Sequence, residues 1–298
     1  MSVIEVLKVL VFGIVEGFTE WLPISSTGHM ILLDDLIHLN VTDEFREVFM
    51  VVIQLGAILA VVLLYFKKLN PFVSMRYLRE RDMRGVWPVG NVFGVKRHTM
   101  ILWVKVVIAC LPAAIVGIPL DDWMEAHLRS SYVVAATLIL YGILFIVGEN
   151  RNYGQRPAVE RTGQISYKLA LYIGLFQVLS LVPGTSRSGA TILGAMVLGC
   201  SRSAAAGFFQ SVLGFVLVIG ASLLKLVKFG FGFTASEVFI LIFGMVVAFL
   251  VSVYSIKFLM SYIRRNDFKL FGYYRIVLGI VVLLYFGIKA VMGLMAEA

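Results

Sequence analysis

Charged residues are scarce in this chain of 298 residues. Asp, Glu, Lys and Arg make up 15% of it, hydrophobic residues make up 60%, and the mean hydropathy is +0.92. A typical soluble domain carries about 25% charged residues. Because so few polar side chains cannot cover a surface in water, the composition excludes an ordinary soluble domain and predicts an integral membrane protein.

Cysteine is also nearly missing, since only Cys110 and Cys200 occur and both lie in apolar runs. This excludes a disulfide framework and a cysteine-based metal site. The first residues contain neither a basic segment nor a small-residue cleavage site, so we expect the N-terminus to be retained and not removed as a signal peptide. The net charge is +8. The basic residues lie between apolar runs, which favours loops against an anionic lipid surface over nucleic-acid binding.

Long apolar runs are what the chain does have. A helix needs about 20 residues to cross a bilayer, and six runs approach or exceed that length: 48–66, 99–119, 131–149, 203–229, 237–257 and 272–294. Two more apolar segments, 3–38 and 168–199, are interrupted near their middle by proline and small polar residues, in "LPISSTGH" and "VPGTSRSGAT".

Loop charge predicts how these segments cross the membrane. Loops 67–98, 150–167 and 258–271 are basic, whereas 120–130 is acidic, so the positive-inside rule places the first three in the cytoplasm and the fourth outside. An even number of crossings must then separate loop 150–167 from loop 258–271. The arms of 168–199 are about 22 and 15 Å long at 1.5 Å per residue, too short for two crossings. We therefore expect this segment to be a re-entrant hairpin.

The first half of the chain repeats this plan, with hairpin 3–38 entering from the opposite side. The two hairpin sequences can be aligned so that Pro23 pairs with Pro183 and Ser26 with Ser186. The sequence thus predicts an all-α polytopic membrane protein forming a single domain, 1–298. It is an inverted repeat of two halves, about 1–150 and 165–298, each a re-entrant helical hairpin plus three transmembrane helices.

Arg187 is the strongest single indication of a site. A charge at membrane depth is costly unless it is paired or hydrated. Pro183 and Gly184 break the helix just before it, so Ser186, Arg187, Ser188 and Thr191 would lie near a new helix N-terminus, where free N–H groups favour a phosphate. The alternative is a structural arginine paired with a carboxylate.

Polar residues in the first hairpin complete the candidate site. Glu16 and Glu20 share a helix face, which predicts a metal-binding pair or a general base, or else partners for Arg187. Ser25, Ser26 and Thr27 suit helix capping, and one of them is a candidate nucleophile. His29 is a candidate for acid–base work or phosphate contact. For the buried amides of Gln54, Gln177 and Gln210 we predict only hydrogen bonds between helices and a weak role in lining a pocket.

Three segments carry a family resemblance that covers nearly the whole chain. "GIVEGFTEWLPISSTGHMILL", "VVIQLGAILAVV" and "PGTSRSGATI" resemble the hallmark segments of bacterial undecaprenyl-diphosphate phosphatases of the bacitracin-resistance type. The resemblance implies a cell-membrane hydrolase that removes the terminal phosphate of the C55 isoprenoid diphosphate carrier, recycling the monophosphate for cell-wall synthesis and conferring resistance to bacitracin. It also implies an active site open to the extracytoplasmic side and a divalent cation, Mg²⁺ or Ca²⁺. The partners expected are the polyprenyl diphosphate and membrane lipids; the oligomeric state, a homodimer included, stays open.

Carried over position by position, the resemblance assigns three groups of residues. The catalytic residues are Glu20, Ser26, His29 and Arg187; the phosphate-binding residues are Ser25, Thr27, Ser186, Arg187, Ser188 and Thr191; and the metal-binding pair is Glu16 and Glu20. Two stretches depart from the family pattern. Met50 stands where the family commonly has a glutamate, for which Glu47 could compensate, and segment 207–219 lacks the usual acid and proline.

The hypothesis from the sequence is that Arg187 holds the diphosphate while Ser26 or water attacks it, with Glu20 or His29 taking the proton. The competing class is a transporter or flippase of a polyprenyl phosphate or another anion, because inverted repeats with broken helices are common in transporters. The concentration of carboxylates, hydroxyls and a histidine around one arginine favours the hydrolase.

Overall fold

The computed structural model describes residues 2–74, 85–89, 93–128, 130–209, 214–230 and 232–297. The chain is mostly helical. In the first half the helices are α1 (Val3–Thr19), α2 (Ser26–Ile37), α3 (Asp43–Leu69), α4 (Arg97–Leu128) and α5 (Ser131–Asn152). In the second half they are α6 (Tyr167–Val178), α7 (Arg187–Val197), α8 (Arg202–Phe208), α9 (Gly214–Phe229), α10 (Ala235–Tyr262) and α11 (Lys269–Glu297).

Five helices in the described part of the chain are long and apolar enough to cross a membrane: Asp43–Leu69, Arg97–Leu120, Ser131–Asn152, Ala235–Tyr262 and Lys269–Met292. They correspond to five of the six predicted spans, so the class of multi-pass α-helical membrane protein is confirmed. The sixth predicted span, 203–229, is described as two helices, α8 and α9, and residues 210–213 between them lie outside the described residues.

Loop 67–98 contains a small β-sheet that was not predicted from the sequence, although the chain as a whole fits the all-α class. Strands β1 (Phe72–Ser74), β2 (Val86–Val89) and β3 (Phe93–Lys96) are antiparallel in the order β1-β3-β2. Their valine, phenylalanine and tryptophan side chains favour extended backbone, and the segments are too short to register as apolar runs. Most of the predicted basic cluster of this loop, including Arg76, Arg79, Arg81 and Arg84, lies outside the described residues.

Both interrupted segments fold as two helices joined by a tight turn. The first is α1 followed by α2. The second is α6, a short 3₁₀ turn at Leu179–Leu181, and then α7. Ser25 and Ser186 precede the second helix of each pair, with φ of 72° and 71°, values that non-glycine residues seldom adopt. Each serine hydroxyl accepts the N–H of a glycine three residues later, at 3.3 Å from Gly28 and 3.2 Å from Gly189.

This shared geometry corrects the predicted pairing of Ser26 with Ser186, because the residue that matches Ser186 is Ser25. One residue lies between Pro23 and its capping serine, whereas two lie between Pro183 and Ser186. Gly184 accommodates the additional residue, because its φ of +88° is a value that glycine adopts without steric cost. The prolines therefore cannot serve as the point of alignment.

Close helix packing holds the two turns against each other at the centre of the bundle. Helix α1 packs on α10, α6 packs on α4, and α5 packs on α11. At two of these crossings only a glycine fits: a Cβ at Gly17 would lie 2.5 Å from the carbonyl oxygen of Ala248, and one at Gly174 would lie 2.4 Å from that of Ala109. Small residues let membrane helices approach this closely.

Candidate active site

Arg187 brings three elements together. It is the first residue of α7, and its Nη2 donates to Glu20 Oε1 at 2.6 Å and to Gln54 Oε1 at 2.8 Å. Glu20 ends α1 and Gln54 lies in α3. The Glu20 side chain is 7% exposed and that of Arg187 is 22% exposed. The arginine therefore has the carboxylate partner that the structural alternative required, and it also keeps an accessible surface.

Ser26 contacts the same carboxylate. Its Oγ donates to Glu20 Oε2 at 2.8 Å, so Glu20 receives the serine hydroxyl on one oxygen and the guanidinium on the other. A carboxylate that accepts a serine proton in this way is placed to act as a general base toward that hydroxyl. The side chains of Arg187, Glu20 and Ser26 thus form one connected cluster across the two hairpin turns.

Glu16 lies one helical turn before Glu20 and is fully buried. Its charged neighbours are Glu20 and Arg187, yet neither of its carboxylate oxygens has a hydrogen-bond partner among the described residues. A buried carboxylate without donors is costly unless a proton or a cation accompanies it. The two free carboxylate oxygens of Glu16 are ligands of the kind that could hold a divalent cation. Among the described residues no group of three or more His, Cys, Asp or Glu side chains is placed to hold a metal by itself.

The predicted phosphate-binding residues other than Arg187 do not all lie in the same surroundings. Ser186 and Ser188 are close to the turns, with their hydroxyls 2.9 Å apart, and Ser188 Oγ donates to the carbonyl of Leu22 at 3.2 Å. Ser25 caps α2, and Thr27 is exposed in its first turn. Thr191 is buried, and its hydroxyl donates at 2.7 Å to the carbonyl of Arg187 in its own helix. The structure therefore does not direct the Thr191 hydroxyl toward the guanidinium of Arg187.

His29 has both ring nitrogens occupied. Nδ1 is 2.7 Å from the carbonyl oxygen of Ser25, and Nε2 is 2.7 Å from the hydroxyl of Tyr274, whose ring stacks on the imidazole. Because a carbonyl only accepts, Nδ1 carries the proton, and Nε2 forms a hydrogen bond with the tyrosine hydroxyl, which can donate or accept. His29 thus fixes the turn before α2, and the structure shows Glu20, not His29, as the hydrogen-bond acceptor of Ser26.

Arg275 is a central residue that the sequence reasoning missed. It belongs to α11 and is 0% exposed. Its Nη1 donates to the carbonyl of Pro23 at 3.2 Å, and its Nη2 donates to the carbonyls of Gly184 at 2.8 Å and Thr185 at 2.9 Å. One guanidinium therefore joins the turns of both hairpins. The available signal was an arginine inside the apolar run 272–294.

The structure shows which contacts the α3 residues near Met50 form. The carboxylate of Glu47 forms an ion pair with Lys225 at 3.2 Å, and whether it compensates for Met50 stays a prediction. Gln54, one turn after Met50, is the α3 residue that reaches Arg187. This contact confirms the predicted hydrogen bond of Gln54 between helices. Gln210 and part of segment 207–219 lie outside the described residues.

Five apolar helices around a buried cluster of carboxylates, hydroxyls and guanidinium groups define a polytopic membrane protein with a polar site in its interior. The sequence model of the bacitracin resistance protein BacA family matches residues 9–281, and the chain belongs to this family. Similar proteins include the undecaprenyl-diphosphatases of Acetivibrio thermocellus (54% identical; 95% of this chain and 98% of that protein), Desulfitobacterium hafniense (54%; 98% and 100%) and Enterococcus faecalis (55%; 95% and 98%).

Proposed function

We propose that this protein hydrolyses undecaprenyl diphosphate to undecaprenyl phosphate and inorganic phosphate, recycling the lipid carrier for cell-wall synthesis and conferring resistance to bacitracin. Family membership and the relatives named above support this activity. The observation that carries the mechanism is the junction of Arg187, Glu20 and Ser26 across the two hairpin turns.

In this mechanism Arg187 releases Glu20 in part and binds oxygens of the terminal phosphate, where it stabilises the charge that develops in the transition state. Ser26 Oγ attacks the terminal phosphorus as Glu20 takes its proton. The bond from that phosphorus to the bridging oxygen breaks, and undecaprenyl phosphate leaves. Water then attacks the phosphorus of the phosphoserine and the bond from phosphorus to Ser26 Oγ breaks. Glu20 returns its proton to Oγ, and the protons of the water leave with the inorganic phosphate. Direct attack by water, with Glu20 as base, is the alternative route.

Glu16 and Glu20 are the residues that would hold a divalent cation, Mg²⁺ or Ca²⁺. When bound, such an ion supplies neutralising charge to the diphosphate. The unsatisfied carboxylate oxygens of Glu16 support this assignment.

The finer architecture belongs to the same proposal. We assign the two halves, about 1–150 and 165–298, to an inverted repeat whose hairpins enter from opposite leaflets and meet in the membrane interior. The matching φ angles and caps of Ser25 and Ser186 support the repeat. An active site open to the extracytoplasmic side is what the family resemblance implies, and we include it in the proposal. The exposed leucine, valine and phenylalanine side chains of the spanning helices suit a long isoprenoid tail.

Phosphate release by purified protein in detergent, without any membrane gradient, tests the hydrolase against a transporter. We expect inorganic phosphate to accumulate from a polyprenyl diphosphate over many turnovers, because hydrolysis needs no ion gradient. Accumulation no faster than in protein-free detergent would favour the transporter or flippase.

Replacing Ser26 with alanine separates the two chemical routes. We expect phosphate release to fall about a hundredfold or more, because the attacking oxygen is removed. Wild-type protein quenched during turnover with a ³²P-labelled terminal phosphate should carry the label on Ser26. Ser180→Ala, which removes a hydroxyl that donates to the carbonyl of Gln177 in the second hairpin, is the matched control and should retain activity. Activity of Ser26→Ala within a few fold of wild type would establish attack by water.

Removal of divalent cations tests the carboxylate pair. We expect a chelator to suppress phosphate release at least tenfold and added Mg²⁺ or Ca²⁺ to restore it, because the ion offsets the charge of the diphosphate. Glu16→Gln should raise the cation concentration needed for half-maximal activity. If chelator leaves the rate unchanged, the pair instead shares a proton. The control is Glu44→Gln, at an exposed acid in the first turn of α3.

A further inference from the structure

A cavity lies in a part of the bundle away from the Arg187–Glu20–Ser26 cluster. Its volume is about 540 Å³, and it is bounded by the end of α5, the segment joining α7 to α8, and the residues that follow α10. Met196, near the end of α7, lines it, whereas Arg187 begins that helix. Nine residues of helix separate the two, about 14 Å at 1.5 Å per residue. The cavity is therefore separate from the cluster around Glu20 and Ser26.

The charge on the walls of this cavity is unbalanced. Arg156, Arg202 and Arg264 line it, against the single carboxylate of Glu149. Arg202 and Glu149 satisfy each other in a bidentate ion pair, with Nε–Oε1 at 2.9 Å and Nη2–Oε2 at 2.5 Å. Neither Arg156 nor Arg264 forms an ion pair with any described carboxylate. Two guanidinium groups therefore face the same cavity with positive charge left for an anion.

A groove of about 310 Å³ lies beside this cavity, between the end of α3 and the end of α10. Leu64, Ile256 and Met260 form its apolar wall, and Tyr65 and Ser261 add polar groups. Arg264 lines both the groove and the cavity, and Lys257 lines the groove. A ligand that joins a negative headgroup to an alkyl chain would match the two spaces at once.

We propose that this cavity and groove form a binding site for an anionic phospholipid, distinct from the active site. The phosphate group lies between the guanidinium groups of Arg156 and Arg264, and one acyl chain follows the groove between α3 and α10. Basic pockets at the ends of membrane helices are suited to anionic headgroups. Free phosphate shares the headgroup chemistry, but it leaves the groove without an occupant.

Native mass spectrometry of the purified protein in detergent, with a thermal melting curve in parallel, tests the proposal. The added ligands are dioctanoyl phosphatidylglycerol, dioctanoyl phosphatidylcholine and inorganic phosphate, each at 0.15 M salt. We expect one phosphatidylglycerol to bind saturably and raise the melting midpoint, with phosphatidylcholine and phosphate much weaker. In Arg156→Gln/Arg264→Gln the concentration for half-saturation should rise at least tenfold.

The matched control is Arg151→Gln/Arg265→Gln, which removes the same charge from exposed neighbours outside the cavity. It should bind the lipid as wild type does. Equal weakening in both double variants would overturn the proposal in favour of diffuse charge attraction, and equal stabilisation by inorganic phosphate would overturn the lipid assignment. If the double variant cannot be purified, Arg264→Gln is measured alone, and unchanged lipid binding there would also overturn the proposal. The assay involves no hydrolysis, so its outcome is independent of the proposed enzymatic activity.

Discussion

Arg187→Met should lower phosphate release from polyprenyl diphosphate by about a thousandfold, since loss of one preorganised donor to developing charge costs about 10² to 10³ in rate. Two effects act in the same direction. The substrate phosphate loses its guanidinium, and Glu20, whose side chain is 7% exposed, loses its only ion pair among the described residues. The measurement is the rate of inorganic phosphate production by purified variant and wild type in the same detergent.

Two further variants make the Arg187 experiment specific. Arg187→Lys keeps the charge but cannot reach Glu20 and Gln54 with one planar group, so it should recover only part of the activity. Arg151→Met removes an exposed arginine and should match wild type. A rate for Arg187→Met within a few fold of wild type would show that the ion pair with Glu20 is structural and that phosphate binds elsewhere.

Arg275→Met should lower both the stability and the turnover of the enzyme. The guanidinium supplies the hydrogen bonds to the carbonyls of Pro23, Gly184 and Thr185, and each carbonyl left without a donor costs about 1 kcal/mol or more. Because these carbonyls belong to the turns that carry Ser26 and Arg187, we expect kcat to fall about a hundredfold, as misplacement by about 1 Å can cost that much. The thermal midpoint should fall by several degrees.

We expect Arg275 to position the two turns, so its test needs a measurement that a loss of stability alone would not change. At a temperature where the variant is fully folded, kcat should remain low while KM changes by only a few fold. Lys289→Met, which breaks the ion pair of the same helix with Asp35, is the control and should lose stability with little change in kcat. Normal kcat in folded Arg275→Met would restrict Arg275 to stability.

Much of the architecture was predictable because it depends on local chemistry. Apolar runs of sufficient length become helices in a membrane, since every backbone polar group must be satisfied within the segment. Proline with small polar residues marked both helix breaks, and the serines after them became caps. The strands of loop 67–98 escaped prediction because three or four residues carry too little periodicity, and because pairing β1 with β3 depends on the closure of a loop.

For the site, the sequence identified residues from their local surroundings but not the contacts between residues that are distant in the chain. Glu20, Ser26 and Arg187 were marked by their unusual polarity within apolar segments, but nothing in their spacing showed that one carboxylate would contact both the hydroxyl and the guanidinium. Arg275 was missed and the partner of Gln54 was not identified, because the contacts of Arg275 are 90 to 252 positions away in the chain and that of Gln54 is 133 positions away. Their roles follow from helix packing.

The sequence by itself determined that this protein is an integral membrane protein. It also determined the positions of the helix breaks and the side chains that are too polar for an apolar segment unless they have a function. Only the tertiary structure decided which of those side chains meet, that Ser25 and not Ser26 corresponds to Ser186, and that His29 contacts Tyr274 while Glu20 contacts Ser26. The reason is physical. Hydrophobicity and backbone geometry act on neighbours along the chain, whereas hydrogen bonds and ion pairs reach only about 3 to 4 Å and depend on how distant helices pack.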